Sequence, residues 1–416
     1  MTRKYYTPKT ECRICGSSDL TSYFDFGDMP LANNYRRPGD GTEPRFPLEV
    51  MLCTNCYQSQ LSGVVDPSYL FSHYLYHSSV SSTFSSHCAE MAATLRPFLA
   101  SDRQPTCLDI ASNDGCLLKQ FRQAGYRTIG VDPAENLCAE ARQDGIETVC
   151  ALWGEEAAEQ VRAAVGPVDL VTATNVFAHV DDVHGFVAAV QQILADDGIL
   201  VIEFPYMRNL IRQHQFDTIY HEHMSYFLVK PLTHLFARHG MRIRGIQEFA
   251  EIHGGTLRLL VTKEANRALP SDQKTIDRYL NREEEEGLHS LAPYQKMALQ
   301  ADTVRRQFLD TLADLHAQGK TVAAFGASAK GNVFLNFCRL NCDAIPFIVD
   351  DTPDKQGLLY PGTDIPIVSQ EALLEKQPDY LLILAWNFAP EIIRRTKPFQ
   401  DRGGRYITAI PSLQII

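Results

Sequence analysis

The middle of the chain alternates between short apolar runs and helical stretches, and this alternation limits the possible folds more than any other feature of the sequence. The first unit, "TCLDIASNDGCLLKQFRQAGY", has the pattern of a strand, a loop and a helix, and "TIGVDP", "VDLVTATNVFAHV" and "DGILVIEFPY" supply further strands. Strands that alternate with helices build a doubly wound parallel sheet, in which ligands bind at the carboxyl ends of the strands. The sequence therefore predicts an α/β domain with a ligand site at that edge.

The loops at this edge contain candidate ligand-binding residues. Small residues after the first strand let the backbone approach a ligand, and an acid about 20 residues further on binds ribose hydroxyls. The loop lacks the GxGxxG pattern of a dinucleotide site. Acids at two successive strand ends instead resemble the arrangement of S-adenosylmethionine (SAM) methyltransferases, although a Rossmann-like domain for another nucleotide is the alternative. The candidate cofactor-binding residues are Asp109, Ala111, Asn113, Gly115, Asp132, Asn175 and Phe177.

Four of the 11 cysteines form two CxxC pairs near the start of the chain, Cys12 with Cys15 and Cys53 with Cys56. Two such pairs supply four thiolates to one tetrahedral zinc ion, and a closed site of this kind serves folding and not catalysis. The alternative is two unrelated thiol pairs. An odd cysteine number without an apolar leader is not a disulfide framework. We therefore expect a structural zinc site in a cytoplasmic protein.

Charge argues against two classes of partner. The net charge is −11 and no basic stripe offsets it, so we expect no nucleic-acid binding. The longest apolar runs have the length of core strands and are too short to span a membrane. An anionic ligand would need a local pocket lined by cations or amides.

The C-terminal third predicts a long helix and a second, smaller α/β domain. Its helical stretch spaces apolar residues by three and four, namely Met297, Ala301, Val304, Phe308, Leu312 and Leu315. The following "KTVAAFGASAKGNVFLNF" has the pattern of a strand, a glycine loop and a helix. Small residues at a helix N-terminus, with a lysine, suit phosphate, whereas a turn without a ligand is the alternative. The candidate phosphate-binding residues are Ser328, Lys330, Gly331, Asn332 and Lys355.

Within the stretch "FDTIYHEHMSYF", residues 220–226 place two imidazoles, a carboxylate and two phenols close together. Metal binding by His221-Glu222-His223 is disfavoured, because the histidines lack the i, i+4 spacing of a helical HExxH site. Proton transfer and simple packing remain, and packing is the favoured role for His221. In a strand, Tyr220 and Glu222 would share one face and the histidines the other, whereas a turn would bring more of them together.

Seven stretches, in order, resemble one family. They are the double CxxC, "YLYHSSVSSTF", "DIASNDGCLL", "NVFAHVDD", "YHEHMSYF", "HGGTLR" and "FGASAKGNVFLNF". The chain resembles the SAM-dependent C-methyltransferases of nucleotide-linked deoxysugars, and the resemblance covers nearly its whole length. The family usually has glycine where this chain has Ala111. Alanine is a small change, so we expect the geometry of the loop to persist.

The resemblance implies a substrate, a reaction and roles for individual residues. The substrate is a nucleoside-diphosphate 4-keto-6-deoxy sugar, with TDP favoured and GDP or CDP possible, and the methyl group is added to C3. His223 is the implied base, with His179 as its competitor. The other implied catalytic residues are Tyr220, Glu222 and Tyr74. The remaining residues implied to bind substrate or line the domain seam are Tyr76, His253 and Arg258.

These features together predict three domains in one monomeric chain. Residues 1–75 form a zinc knuckle segment, residues 76–265 a class I SAM methyltransferase (Rossmann-like) domain, and residues 266–416 a C-terminal α/β Rossmann-like domain that binds the sugar nucleotide. Two rival functions are a SAM-dependent O- or N-methyltransferase and a non-catalytic, zinc-containing nucleotide-binding protein. The first would not need an enolate-forming cluster, and the second would release no S-adenosylhomocysteine.

Overall fold

The computed structural model describes residues 5–71, 78–80, 82–99, 103–250 and 254–416. Its strands are β1 (Tyr6–Pro8), β2 (Leu20–Pro30), β3 (Arg45–Cys53), β4 (Ser59–Leu61), β5 (Gly63–Val65), β6 (Thr106–Ile110), β7 (Arg127–Asp132), β8 (Thr148–Cys150), β9 (Val168–Thr174), β10 (Leu194–Pro205), β11 (Ser225–Tyr226), β12 (Met241–Phe249), β13 (Thr256–Lys263), β14 (Val322–Phe325), β15 (Ile348–Val349), β16 (Ile367–Val368), β17 (Tyr380–Ile383), β18 (Arg405–Thr408) and β19 (Gln414–Ile415). Its helices are α1 (Pro67–Phe71), α2 (Ser82–Leu95), α3 (Cys116–Gln123), α4 (Glu135–Gln143), α5 (Glu155–Val165), α6 (Val183–Ile193), α7 (Met207–Arg212), α8 (Val229–Arg238), α9 (Gln273–Glu285), α10 (Ala292–Ala317), α11 (Ala329–Phe337), α12 (Ala372–Lys376), α13 (Ala389–Arg395) and α14 (Lys397–Asp401).

The middle of the chain forms a seven-stranded sheet in the order β12-β13-β10-β9-β6-β7-β8. The five strands from β10 to β8 are parallel, and β13 is inserted antiparallel between β10 and β12. All five residues of β6 are buried, as expected of a parallel strand that is covered on both faces. The predicted doubly wound sheet is confirmed, and the polar strand ends gather at its carboxyl edge.

The C-terminal part forms a second sheet in the order β16-β15-β14-β17-β18-β19. Its first five strands are parallel and β19 is antiparallel. The first strand of this unit, β14, lies beside the later strand β17. The order in which the strands follow one another in the chain therefore reverses between β14 and β17. Ligands bind doubly wound sheets at such a switch point. The predicted second α/β unit is therefore present.

The N-terminal sheet includes a strand from a distant part of the chain. Its order is β11-β4-β3-β2, and all its pairings are antiparallel. The short strand β11 belongs to the stretch "YHEHMSYF", so this stretch completes a sheet that is otherwise built from residues 20–61. The two remaining N-terminal strands, β1 and β5, pair with each other.

The long helix α10 carries the apolar face that the sequence predicts. All six residues spaced by three and four along it are buried. This face forms part of a contiguous cluster of buried side chains that extends from the N-terminal sheet to the C-terminal sheet. Within the described residues, no helix is both long and apolar enough to cross a membrane.

Candidate active site

The four cysteines predicted to bind zinc lie together. Cys12 Sγ and Cys56 Sγ are 3.5 Å apart, as are Cys15 Sγ and Cys53 Sγ, and all four sulfur atoms lie within 4.8 Å of one another. A tetrahedral zinc ion with Zn–S bonds of about 2.3 Å needs sulfur separations in this range. Burial raises the pKa of Cys53, whereas the contact with Cys56 lowers the pKa of Cys12. A bound cation would hold the thiols of the cluster as thiolates. The donors fit a closed structural zinc site.

One large cavity lies where the two parallel sheets and the N-terminal segment meet. Its volume is about 940 Å³, at the upper end of the usual range for ligand sites. The middle sheet lines it with the loops after β6, β7 and β9, and the C-terminal sheet with the loops after β14 and β17. The N-terminal segment adds Asn33 and Tyr35. Both parallel sheets thus present their carboxyl edges to the same cavity.

Asp109 lies at the end of β6, where it lines the cavity but is only 2% exposed. Its Oδ1 accepts a hydrogen bond from Thr172 Oγ1 at 2.7 Å. Burial is the main cause that raises the pKa of Asp109 to about 7, the Thr172 bond lowers it, and nearby Asp132 raises it further. A cationic group in the cavity would stabilise the carboxylate form.

Backbone amides hold the side chain of Asp132 in one orientation at the end of β7. Its Oδ2 accepts from the N–H of Asn113 and its Oδ1 from the N–H of Ala134, both at 2.9 Å. Burial raises the pKa of Asp132, and these two bonds oppose the rise. Asn113 Oδ1 also accepts from the N–H of Ser78 at 3.0 Å. The predicted cofactor loop is therefore tied to the segment just before α2.

Three cavity-lining residues other than glycine have a left-handed backbone. Their φ angles are +58° at Ala111, +52° at Asn113 and +57° at Asn175. Such residues are uncommon and cluster at functional sites, because the surrounding structure must hold them there. Asn175 Oδ1 is buried without a hydrogen-bond partner among the described residues. It can therefore accept a bond from a donor on a ligand.

Two predicted cofactor-binding residues lie behind the cavity wall. Gly115 precedes α3 with φ +77°, and a Cβ there would lie 3.1 Å from Ile146. Phe177 is fully buried and stacks on Phe227, with ring centroids 4.9 Å apart. Neither residue lines the cavity. Both therefore pack against neighbouring elements and shape the loops, and their contact with the cofactor stays a prediction.

Residues 220–223 form a tight turn, in which the N–H of His223 donates to the carbonyl of Tyr220 at 2.9 Å. This turn brings Tyr220 Oη within 2.8 Å of His223 Nε2, and both residues line the cavity. His223 Nδ1 lies 2.8 Å from the carbonyl oxygen of Thr218. Because a carbonyl only accepts, Nδ1 carries the proton and Nε2 accepts from the tyrosine hydroxyl. His223 is thus held with Nε2 as its basic atom. We call residues 220–223 the catalytic turn, after the role that the sequence predicts for them.

His179 lies beside the catalytic turn at the cavity wall. Its ring centroid is 4.9 Å from that of His223. Burial lowers the pKa of His179 to about 4, so its imidazole is neutral at pH 7. A buried site that disfavours the imidazolium also makes His179 a weak base.

The other two members of the catalytic turn point towards the N-terminal segment. His221 Nε2 donates to the carbonyl of Phe46 at 3.2 Å, and burial lowers the pKa of His221 to about 4. Glu222 is 3% exposed, and its Oε1 accepts from Asn33 Nδ2 at 2.7 Å. His221 therefore packs and bonds away from the cavity, while Glu222 contacts a cavity-lining residue.

The predicted phosphate loop follows β14 and leads into α11. Ser328 caps this helix, since its Oγ accepts from the N–H of Gly331 at 3.2 Å. Ser328, Lys330 and Lys355 line the cavity. Burial lowers the pKa of both lysines, which favours a site where an anion compensates their charge.

Gly331 and Asn332 lie beneath the loop, away from the cavity. A Cβ on Gly331 would lie 2.7 Å from Leu384 Cβ, so glycine allows close packing of α11 on the loop after β17. Asn332 is buried, and its Nδ2 donates to the carbonyl of Pro361 at 2.7 Å. These residues support the loop from below.

Arg258, predicted to line the seam, is completely buried in β13. Its Nε donates to Glu203 on β10 at 2.5 Å, and it does not line the cavity. The charge of this side chain is already paired inside the sheet, so it is placed to stabilise the fold. Tyr74, Tyr76 and His253 lie outside the described residues.

Sequence reasoning missed residues whose partners are distant in the chain. Asn33 and its partner Glu222 are separated by 189 positions, and Tyr35 Oη donates to the carbonyl of Ala327 at 2.6 Å. The carbonyl of Thr218 fixes the tautomer of His223. A local motif marks none of these contacts. Of these residues, Thr218 alone had a signal in the sequence, because it lies within the stretch "FDTIYHEHMSYF".

Asp217 joins the stretch before the catalytic turn to the C-terminal sheet. It is 1% exposed, and its Oδ2 accepts from Trp386 Nε1 at 2.7 Å. Lys330 Nζ lies 4.8 Å from the centroid of the Trp386 ring. Burial raises the pKa of Asp217, and the charge of Lys330 opposes the rise. The phosphate loop and the stretch before the catalytic turn therefore meet at one tryptophan.

Comparison with known proteins connects these features. Residues 12–71 match a zinc binding domain model, residues 84–244 a methyltransferase domain model, and residues 251–411 a C-methyltransferase C-terminal domain model. The chain is 37% identical over 411 residues to the C-methyltransferase NovU of Streptomyces niveus, covering 98% of this chain and 97% of that protein.

Solved structures resemble the chain only distantly. Magnesium protoporphyrin IX methyltransferase (ChlM) from Synechocystis PCC 6803 with bound SAM has a TM-score of 0.33 and 14% identity, over 43% of this chain and 79% of that chain. The plantazolicin methyltransferase BpumL in complex with SAH has a TM-score of 0.34 and 13% identity, over 44% and 84%. The family relationship rests on the sequence comparisons.

Proposed function

The chain belongs to the SAM-dependent C-methyltransferases, and from this premise we propose that it methylates carbon 3 of a nucleoside-diphosphate 4-keto-6-deoxy sugar. One observation carries the proposal. A single cavity is lined by the acids at the strand ends of the middle sheet, by the Tyr220–His223 pair and by two lysines in loops of the C-terminal sheet. A cationic methyl donor, an acidic carbon and a diphosphate each meet groups of matching chemistry there.

The reaction needs a base at a fixed atom. When bound, SAM supplies an electrophilic methyl group and leaves as S-adenosylhomocysteine. A C–H group next to a ketone becomes nucleophilic by losing its proton, which gives an enolate. In the proposed step, His223 Nε2 takes the C3 proton, and the electron pair of that C–H bond is delocalised onto the C4 oxygen. This electron pair then forms the new bond from C3 to the methyl group. The electrons of the methyl–sulfur bond stay on sulfur, and the ketone at C4 is restored.

Tyr220 supports the same step from the other side. Its hydroxyl donates to the single lone pair of His223 Nε2 before substrate binds. The hydroxyl therefore has to turn from Nε2 towards the C4 oxygen before Nε2 takes the C3 proton, and in that position it donates to the enolate oxygen. A general base typically contributes ~10²–10⁴-fold, and one oxyanion donor ~10²–10³-fold. Neither group suffices alone, so their contact at the cavity wall favours this chemistry.

The geometry favours His223 as the base, because the Thr218 carbonyl fixes the proton on Nδ1 and leaves Nε2 as the basic atom. Burial lowers the pKa of His179 to about 4, so it would give up a proton too readily to remove one from carbon. Its neutral imidazole instead suits hydrogen bonding to the substrate. Tyr74 remains the proposed roof of the sugar, by resemblance to the family.

The two ends of the cavity suit the two ligands. Asp132 is proposed to bind the ribose hydroxyls of SAM, and Asp109 to lie near its amino-acid part. Ser328, Lys330 and Lys355 are proposed to bind the diphosphate of the sugar nucleotide. TDP is the favoured nucleotide, with GDP and CDP as the alternatives. Residues 76–265 would then hold SAM and residues 266–416 the nucleotide.

Mass spectrometry tests this function directly. The protein is incubated with SAM and a panel of 4-keto-6-deoxy sugar nucleotides, and the expected product is heavier by one methyl group and accompanied by S-adenosylhomocysteine. In D2O without SAM, the substrate should take up deuterium at C3. If no substrate of the panel gains either a methyl group or deuterium, the proposed function is wrong.

His223→Asn should abolish both methyl transfer and deuterium exchange at C3, because exchange needs only the base. Tyr220→Phe should lower methyl transfer by ~10²–10³-fold while exchange slows but persists. Glu222→Gln should lie between the two. Exchange is followed by mass spectrometry, and SAM affinity and zinc content serve as controls for folding.

His179→Asn is the matched comparison for the base. We expect this variant to retain exchange at C3. If it loses exchange while His223→Asn exchanges at the normal rate, His179 is the base. If both variants exchange and methylate normally, neither histidine removes the proton.

A further inference from the structure

We propose that the zinc-bearing N-terminal segment positions the catalytic turn, and that Asn33 is the positioning residue that fixes the carboxylate of Glu222. The inference rests on the proposed function, because it concerns how the base of that reaction is tuned. Asn33 lies outside every motif that the sequence singles out. Its role follows from three sets of contacts between the N-terminal segment and the cavity.

The first set is a shared sheet. Strand β11, which begins two residues after His223, pairs with β4, and the N–H of Leu61 donates to the carbonyl of Met224 at 3.0 Å. Strand β4 in turn begins three residues after Cys56, a zinc ligand. The zinc site, β4, β11 and the catalytic turn are therefore linked by backbone pairing over a few residues.

The second set involves the side chains of the catalytic turn. Glu222 Oε1 accepts from Asn33 Nδ2 at 2.7 Å, and His221 Nε2 donates to the carbonyl of Phe46. Both partners belong to the N-terminal segment, and both turn residues are buried. The turn is therefore held against the N-terminal segment through Glu222 and His221, while His223 faces the cavity.

The third set reaches across the cavity. Tyr35, two residues after Asn33, donates through its hydroxyl to the carbonyl of Ala327 in the phosphate loop. Lys355 Nζ donates to the same carbonyl at 2.9 Å. Asn33 and Tyr35 both line the cavity. The short segment between them thus fixes the distance between the catalytic turn and the proposed diphosphate site.

Asn33 is chemically suited to hold a carboxylate. An amide N–H stabilises the ionised form of Glu222 and orients it, while adding no positive charge that would cancel its field. Glu222 immediately precedes His223 in the turn, and a nearby carboxylate raises the basicity of an imidazole. Asn33 therefore acts on the proton transfer through Glu222, without touching the proton itself.

The pH profile of methyl transfer tests this role. Asn33→Asp replaces the donor with a second carboxylate, so the pKa of Glu222 rises and the ionised form appears only at higher pH. The acidic limb of kcat should move to higher pH, and kcat at neutral pH should fall about tenfold. Asn34→Asp is the matched control, since it adds the same charge at the next residue. It should leave the acidic limb in place.

Asn33→Ala removes the donor without adding charge and guards against a charge-driven loss of folding. It should lower kcat about tenfold and lower the melting temperature modestly, because a buried carboxylate loses a donor, while zinc content and SAM affinity stay unchanged. The inference is overturned if Asn33→Ala keeps the wild-type kcat, or if a folded Asn33→Asp protein has the pH profile of Asn34→Asp. These outcomes differ from failure of the proposed function, in which the wild-type protein itself neither exchanges nor methylates a 4-keto sugar nucleotide.

Discussion

At the scale of single residues, burial of Asp109 should make SAM binding depend on pH if Asp109 binds SAM as proposed. Its pKa of about 7 lies well above the ordinary value, mainly because burial disfavours the carboxylate. The proposed partner is the cationic amino-acid part of SAM, which needs that carboxylate. As pH falls through 7, protons compete with the cofactor, so SAM affinity should fall by about tenfold for each further pH unit. Calorimetric titration between pH 6 and 8.5 measures this.

Thr172 provides the control for that effect. Its hydroxyl bond lowers the pKa of Asp109, so Thr172→Val should raise the pKa and start the loss of affinity at higher pH. Asp109→Asn should bind SAM weakly at every pH, without the slope. A slope that persists in Asp109→Asn would assign the titration to another group.

Ala111 stands where the family usually has glycine, and substitutions at this position test what the alanine costs. Its φ of +58° costs an alanine about 1–2 kcal/mol relative to the right-handed region. Ala111→Gly should therefore raise the free energy of unfolding by about 1 kcal/mol, after the greater chain entropy of glycine is included. Urea unfolding measures the change. Ala111→Val, with a branched side chain that tolerates this region least, should destabilise the protein. A loss of stability in Ala111→Gly would contradict this account.

At the scale of elements, periodic patterns were predictable and the catalytic turn was not. The spacing of six apolar residues predicted the buried face of α10, because a helix repeats that spacing over many turns. Residues 220–223 contain neither glycine nor proline, so the sequence left strand and turn equally open. The turn forms because contacts with Asn33, Phe46 and the carbonyl of Thr218 hold it. Asn33 and Phe46 lie far from the turn in the chain, where a local pattern cannot reveal them.

The loop between β14 and α11 is proposed to bind the diphosphate, and substitution of Lys330 tests this. Lys330→Ala should raise KM for the sugar nucleotide about tenfold or more, because it removes a charge-assisted bond to the diphosphate. SAM affinity should stay unchanged. Burial lowers the pKa of Lys330, so in the wild-type protein KM should rise with pH before an ordinary lysine would titrate. Lys330→Arg keeps its charge and should reduce that rise, leaving the part due to Lys355, whose pKa burial also lowers. Equal losses for both ligands would mean that the loop does not belong to the nucleotide site.

At the scale of the whole molecule, two parallel sheets and one antiparallel sheet converge on one cavity. The alternating patterns predicted both parallel sheets, since each is built from consecutive strands and helices. Sequence reasoning missed that β11 joins the N-terminal sheet, because its partner β4 lies far away in the chain. It also placed Arg258 at the seam, whereas the guanidinium is paired inside the middle sheet. The domain limits at 75 and 265 remain a prediction.

Removal of zinc should abolish proton removal from C3 and methyl transfer but leave SAM binding intact. The second knuckle, Cys53 to Cys56, connects the end of β3 to the start of β4, and β4 pairs with β11 beside His223. Cys53→Ser with Cys56→Ser, or a strong chelator, should therefore loosen the catalytic turn and abolish both C3 exchange and methyl transfer. SAM affinity should persist, because Asp109, Asp132 and their partners belong to the middle sheet. Zinc content, calorimetry with SAM and deuterium exchange are measured on the same sample.

Zinc-free protein that still exchanges C3 at the wild-type rate would show that the N-terminal sheet does not position the base. Loss of SAM binding together with exchange would show that the zinc site supports the whole fold.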